Sequence, residues 1–182
     1  MKIAINALCI HKGITGIGNY ARSLVNSLIE FDQNNNYLLL QGKECPGILS
    51  VNGRENFEQL IVGAPSYLWE QLHLPSDLAV MGVDLYHSPL FSCPIVDEVP
   101  SVITIHDVIP EVKPELCSKG FLEFYRRCIY SSARAAFKII TTSQFSKDEI
   151  VKCLGVSADK VHVVYQGISS EFSINKKKIS SR

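Results

Sequence analysis

Several things are missing from this chain, beginning with any excess of charge. Eighteen Lys and Arg residues offset eighteen Asp and Glu, so the formal net charge is zero. Without surplus basic charge, no nucleic-acid partner is expected. The six cysteines, at positions 9, 45, 93, 117, 128 and 153, form no C-x-x-C pair, and there is no H-E-x-x-H, so no metal site is expected. Thiols kept reduced in a cytoplasmic location are the simplest account of those cysteines. No apolar run reaches the roughly 18 residues needed to cross a bilayer, which limits any membrane contact to a peripheral one at the inner face. Lys2 precedes a mostly apolar stretch from Ile3 to Ile10, as in a signal peptide. Asn6 interrupts that stretch, however, and His11-Lys12-Gly13 ends it without a small-residue cleavage site, so a buried first strand is the better reading. Internal repeats are absent, and the one biased tract, Lys176-Lys177-Lys178, reads as a solvated tail.

What the chain does contain is apolar sequence cut into short lengths. Of 182 residues, 46% are hydrophobic and 20% charged, enough for one compact domain with a real core. Nearly continuous apolar runs predict strands near Ile3 to Leu8, Tyr37 to Leu40, Phe57 to Val62, Asp84 to His87, Val102 to His106, Lys138 to Thr142 and Val161 to Tyr165. Such runs fit strands buried on both faces of a parallel sheet. Helical spacing predicts helices over Tyr20 to Phe31, Tyr67 to Met81, Phe121 to Ala136 and Ser146 to Leu154. Ser146-Lys147-Asp148-Glu149 reads as a capping box, Gly155 as a helix stop, and Asn34-Asn35-Asn36 as the end of the first helix. The alternation predicts an α/β fold: a Rossmann-like, doubly wound, mostly parallel sheet of about seven strands with helices on both faces. Residues 1–167 would form this domain and 168–182 a tail or the start of a linker.

The most informative stretch is the glycine-rich turn Gly13-Ile14-Thr15-Gly16-Ile17-Gly18-Asn19-Tyr20 between the first strand and the first helix. Backbone N–H groups at a helix start, beside glycines that permit close approach, favour an anionic ligand. The spacing is neither G-x-G-x-x-G nor a P-loop with its Lys-Ser/Thr, so those two readings lose weight. A tight turn with no ligand is the alternative.

Ligands of open parallel sheets bind outside the carboxyl ends of the strands. Applied here, that rule gathers Gly16, Ile17 and Gly18, then His87-Ser88-Pro89, His106-Asp107, Thr142-Ser143 and Tyr165-Gln166-Gly167 on one edge. His106 follows the apolar run Val102-Ile103-Thr104-Ile105 and should emerge at the cleft beside Asp107, placed to bond a ligand hydroxyl or phosphate oxygen. A histidine that merely bonds a neighbouring loop is the competing reading, and for His87, before Ser88-Pro89, it is the stronger one. Two proline-studded loops, Ser88 to Pro100 and Ile109 to Ser118, each follow a strand ending in histidine. Trp69 is expected to pack in the core or at a domain contact, and Arg126, Arg127 and Arg134 to form a solvated helix face.

Placed in this order, Thr15-Gly16-Ile17-Gly18-Asn19-Tyr20, Leu68-Trp69-Glu70-Gln71, Asp84 to Pro89, Val102 to Asp107, Ile139 to Lys147 and Lys160 to Gly167 resemble the N-terminal half of a GT-B glycosyltransferase of family 4. The resemblance runs nearly end to end. It implies a retaining enzyme without metal or other cofactor, whose N-terminal domain holds a saccharide or lipid-linked acceptor while a second domain grips a nucleotide-diphosphate sugar. By the same resemblance His106 is the catalytic strand-end histidine near the donor sugar. The Gly16, Ile17 and Gly18 loop approaches the donor diphosphate, and His87, Asp107 and Ser143 are further substrate-binding candidates. Several residues depart from the family pattern: Asn6 stands where many relatives carry Asp, Asn19 where many carry Arg, and Gln166 where Asn is usual. The sequence ends at Arg182, where the second domain would start, so catalysis is expected of a two-domain protein and not of these residues alone. A non-catalytic glycan- or anion-binding module, or a subunit pairing with a separate donor-binding partner, is the alternative. A nucleotide-cofactor oxidoreductase is disfavoured because no proper fingerprint is followed by its acidic residue.

Overall fold

A computed structural model describes residues 1–11, 15–43, 49, 51, 53–63, 65–96 and 98–168. Gly13 and Ile14 of the glycine-rich turn, Lys176 to Lys178, and all of the expected tail except residue 168 lie outside the described residues. Seven strands, β1 (Lys2–Asn6), β2 (Asn36–Gly42), β3 (Phe57–Val62), β4 (Leu85–Ser88), β5 (Ser101–Thr104), β6 (Lys138–Thr141) and β7 (Val161–Val163), form one sheet in the order β3-β2-β1-β4-β5-β6-β7. Every pairing is parallel. The order reverses direction between β1 and β4, which makes their carboxyl ends the switch point of a doubly wound fold.

Among the described residues six α-helices accompany the strands: α1 (Gly16–Phe31), α2 (Tyr67–Leu72), α3 (Leu74–Val80), α4 (Ile109–Val112), α5 (Lys119–Ala135) and α6 (Gln144–Leu154). The period-two alternation of the strands divides the core between the two sheet faces. Ile5, Tyr37 and Leu39 pack with Ala21 and Val25 of α1. Their immediate neighbours Ala4, Leu38 and Leu40 belong to the other cluster, with Leu74 and Leu78 of α3, Tyr125 and Ile129 of α5, and Ile150 of α6. Trp69 packs against this second cluster, as its size led one to expect.

Four local expectations need correction. The glycines do not form a loop ahead of the first helix, because Thr15 caps α1 and Gly16 to Gly18 are its first turn. The single helix expected over Tyr67 to Met81 breaks at His73, since Pro75 lacks an N–H and fits only in the opening turn of α3. Within the expected Ile109 to Ser118 loop, Pro110 likewise begins the short helix α4, and Pro114–Leu116 makes a 3-10 turn. The cap of α6 is Ser143, not Ser146, for it is the Ser143 hydroxyl that accepts from the Ser146 N–H at 3.0 Å. Gly155 does stop α6, at φ 64°, where a left-handed residue suits glycine. The first helix ends at Phe31, ahead of the three asparagines, and Asp32 caps it. Its carboxylate accepts from the Asn34 N–H at 2.8 Å and the Tyr37 hydroxyl at 2.6 Å.

Candidate functional site

At the switch point β1 stops because Asn6 turns the chain, its Oδ1 accepting from the Leu8 N–H at 3.1 Å. The chain then passes under α1. A Cβ on Gly18 would stand 2.7 Å from the Cys9 carbonyl oxygen, so the helix enters this close only because position 18 has no side chain. Gly16 faces open space, with nothing within 4 Å of where its Cβ would be. Its exposed N–H lies in the positive first turn of a 16-residue helix.

Beside this turn is a cavity of about 230 Å³. Ile17 of α1 forms one wall, Leu90 and Phe91 another, the β5 end from Thr104 to Asp107 the floor, and Ile109, Pro110, Cys117, Phe121 and Tyr125 the rest. His106 lies in this lining with its ring edge-to-face against Tyr20, centroids 4.7 Å apart. The Nε2 atom of His106 is buried without a hydrogen-bond partner among the described residues. Desolvation lowers the pKa of this histidine, and a hydrogen bond to the Pro89 backbone and the charge of Asp107 partly oppose that. The ring is therefore neutral near pH 7. With one nitrogen donating to the Pro89 carbonyl, Nε2 carries the lone pair and can accept from a hydroxyl.

The other candidates are distributed unevenly. His87 is 9% exposed, its Nε2 is 3.1 Å from Thr104 Oγ1, and desolvation pushes its pKa down to about 4. Thr104 Oγ1 in turn lies 3.5 Å from the Tyr20 hydroxyl, so His87 supports the floor of the cavity from beneath. Asp107 lines the cavity, and its Oδ1 accepts from the Ile109 N–H at 3.0 Å. Ser143 lies outside the lining, and its hydroxyl donates to Ser146 Oγ at 2.9 Å while capping α6. Gly16 and Gly18 flank the cavity through their neighbour Ile17 without lining it.

A model described as Glycosyltransferase Family 4 matches residues 14–172. The chain belongs to that family. O-antigen chain mannosyltransferase B of Escherichia coli is 30% identical over 88 residues, which are 48% of this chain and 23% of that protein. The crystal structure of Anabaena HepE in complex with UDP-glucose superposes with a TM-score of 0.56 at 18% identity, covering 92% of this chain and 44% of that one. The chain thus spans less than half the length of the solved relative. Its sheet is the Rossmann-like sheet of GT-B glycosyltransferases.

Sequence reasoning did not single out two parts of this family 4 domain's site. One is the aromatic wall: Phe91 lies 4.9 Å from Tyr125 and Phe121 lies 6.0 Å from it, ring centre to ring centre. The i, i+4 spacing of Phe121 and Tyr125 on a predicted helix was the available signal. The other is a buried polar chain behind the switch point. Asn6 Nδ2 donates to the Tyr86 hydroxyl at 3.0 Å, Tyr86 bonds Glu70, and Ser92 Oγ donates to Glu70 Oε1 at 3.2 Å. Glu70 is only 7% exposed, and desolvation pushes its pKa up to about 7. Gln71 then ties down the segment that follows Phe91, donating to the Cys93 carbonyl at 2.9 Å and accepting from the Ile95 N–H at 3.0 Å.

Among the described residues no cluster of side chains could hold a metal, no helix is long and apolar enough to cross a membrane, and no disulfide joins the cysteines. Of the three arginines on α5, Arg127 and Arg134 are exposed, while Arg126 pairs with Glu111 at 3.1 Å.

Proposed function

We propose that this is the acceptor-side domain of a retaining glycosyltransferase, which moves a hexose-like unit from a nucleotide-diphosphate sugar to a saccharide or lipid-linked acceptor at the cytoplasmic side. The observation that carries this reading is the buried, partnerless Nε2 of His106 beside the switch-point cavity of a family 4 domain. A neutral imidazole there accepts from a hydroxyl at the reacting centre. An oxocarbenium-like transition state gains from such a fixed polar group, since no dipole has to reorient as charge develops. The diphosphate is assigned to the first turn of α1, where Gly16 lets an oxygen approach the N–H groups, and to a second, donor-binding domain. Asp107, His87 and Ser143 act around that centre as ligand contact, floor support and neighbouring strand-end hydroxyl.

In the complete enzyme, His106→Ala should lower transfer by more than about tenfold with an unchanged thermal midpoint; near-normal turnover would remove His106 from the mechanism. The alternative is a subunit that pairs with a separate donor-binding partner. Ile109, Val112, Leu116, Phe121 and Phe124 are 43%, 42%, 73%, 44% and 45% exposed along the cavity's outer side, as a surface covered by another domain or subunit would be. The intact mass of the native polypeptide separates the two: a chain about twice this length fits the two-domain enzyme.

A further inference from the structure

We propose that Tyr20 is a positioning residue for His106, holding the imidazole in one orientation at the cavity from the side of α1. The step in which that orientation counts rests on the glycosyltransferase reading; the restraint itself does not.

A planar side chain held by one hydrogen bond can still tilt about that bond. For His106 the bond is the one to the Pro89 backbone, so a second restraint has to come from packing. Tyr20 supplies it. Its ring meets the imidazole at 85° with centroids 4.7 Å apart, the arrangement in which the positive edge of one ring rests on the negative face of the other. Tilting the imidazole breaks that contact. Tyr20 is itself held at two ends. Its backbone belongs to α1, which lies close to the chain leaving β1 only because Gly18, two residues earlier, has no Cβ to stand 2.7 Å from the Cys9 carbonyl oxygen. Its hydroxyl lies 3.5 Å from Oγ1 of the fully buried Thr104, which is 3.1 Å from His87 Nε2. Thr104 closes β5 two positions ahead of His106, so the restraint leaves this strand end and returns to it through α1. At 3.5 Å the hydroxyl is beyond a good O–H···O distance, which makes the ring contact the stronger part of the tie. Tyr20 does not line the cavity, so its effect there passes through His106. A tyrosine that only filled space between α1 and β5 would cost stability when truncated and leave the imidazole where it is.

Nitrogen-15 spectra of the purified protein, with the His106 signals identified by their loss in His106→Ala, read the ring directly. In the parent, Nδ1 carries the proton toward Pro89 and Nε2 the lone pair, so above the titration range the two nitrogens should give widely separated shifts. Tyr20→Leu should draw those shifts together as the tautomers interchange, and should raise the titration midpoint toward the ordinary 6.5 as water reaches the ring. Tyr20→Phe keeps the ring and should change neither. The other titratable groups around the imidazole are Asp107 beside it, Tyr125 of α5 and Cys117, with His87 beyond Thr104; a signal from His106 itself is distinct from theirs. In the complete enzyme Tyr20→Leu should lower kcat by about tenfold or more with KM values within about twofold, and Tyr20→Phe should restore transfer to within about threefold of the parent. In a His106→Ala background Tyr20→Leu should lower transfer no further, since the ring through which it acts is gone. Unchanged shifts and midpoint in Tyr20→Leu, or an equal fall in transfer with and without His106, would overturn the proposal. If Tyr20→Leu does not fold, Gly18→Ala lifts α1 from the Cys9 carbonyl and should draw the shifts together in its place; unchanged shifts there would be equally fatal. An imidazole released by Tyr20→Leu in a complete protein that transfers no sugar would sustain this inference while sinking the glycosyltransferase reading. Sugar transfer by a protein whose His106 shifts ignore Tyr20→Leu would do the reverse.

Discussion

Replacing Glu70 by glutamine removes a carboxyl that the fold holds away from water while keeping its size and its bond from Ser92. Burial raises the Glu70 pKa from 4.5 to about 7, against the opposing hydrogen bonds of Ser92, Tyr86 and Gln71. The folded state therefore binds this proton more tightly than the unfolded chain does. Its contribution to stability is complete below the unfolded value of 4.5 and is lost as pH rises to about 7. At ~1.4 kcal/mol per pKa unit, the loss approaches ~3 kcal/mol above neutrality. Glutamine does not titrate, so Glu70→Gln should match the parent protein near pH 4.5 and exceed it by ~3 kcal/mol at pH 8, or roughly 6–12 °C in midpoint. Its neighbours Tyr67, Tyr86 and Cys128 all have raised pKa values, Cys128 at about 11, and stay protonated across this window. His87 titrates on the acid side in both proteins and cancels in the difference. Urea unfolding at half-unit steps from pH 4.5 to 8.5 gives that difference directly. A gap that stays constant with pH would refute the claim that Glu70 is buried as an acid.

The remaining predictions are stability measurements on the same plan. Gly18→Ala puts a methyl 2.7 Å from the Cys9 carbonyl oxygen and should cost about 1–3 kcal/mol, whereas Gly16→Ala meets nothing within 4 Å and should leave the urea midpoint unchanged. Ser143→Ala removes the α6 cap and should cost ~1 kcal/mol; a full loss of transfer without loss of stability would instead make Ser143 a substrate contact. Asn6→Asp exchanges an amide that donates to the Tyr86 hydroxyl for a second carboxyl on the Glu70 chain. Its destabilisation should grow from pH 4.5 to 8, and a cost independent of pH would show the chain to be uncoupled.

What could be read in the sequence follows from what is local. Nearly continuous apolar runs such as Val102 to Ile105, interrupted only by Thr104, announce strands buried on both faces, and seven of them with helices among them leave few arrangements other than the observed sheet. His106 could be located because it is the first polar residue after such a run. Punctuation was harder where two signals competed. Pro75 overrode the helical spacing of Tyr67 to Met81, and Ser143 won the α6 cap from Ser146 because the strand ends only just before it. The role of Glu70 was out of reach for a different reason. Its meaning depends on Tyr86, Ser92 and Asn6, which lie 16, 22 and 64 positions away, and only the closing of the sheet between β1 and β4 makes them neighbours.

The charges around the cavity also constrain where a substrate's charge can sit. None of the described residues lining it is Lys or Arg, Asp107 supplies the one acidic group, and His106 is held neutral by burial. A diphosphate placed there would face an apolar wall and a carboxylate with no cation to offset either, which Coulomb repulsion and desolvation both oppose. The first turn of α1 has the opposite character: Thr15 Oγ1 takes the Gly18 N–H at 3.3 Å, but Gly16 stands open to solvent at the positive start of the helix. In the proposed reaction the two partners are thereby sorted by polarity before any chemistry begins: the anionic donor at the helix terminus, the uncharged end of the acceptor in the cavity. Ile17 stands at the boundary, in the helix's first turn and in the cavity wall at once. The bond that forms should therefore lie between Ile17 and His106.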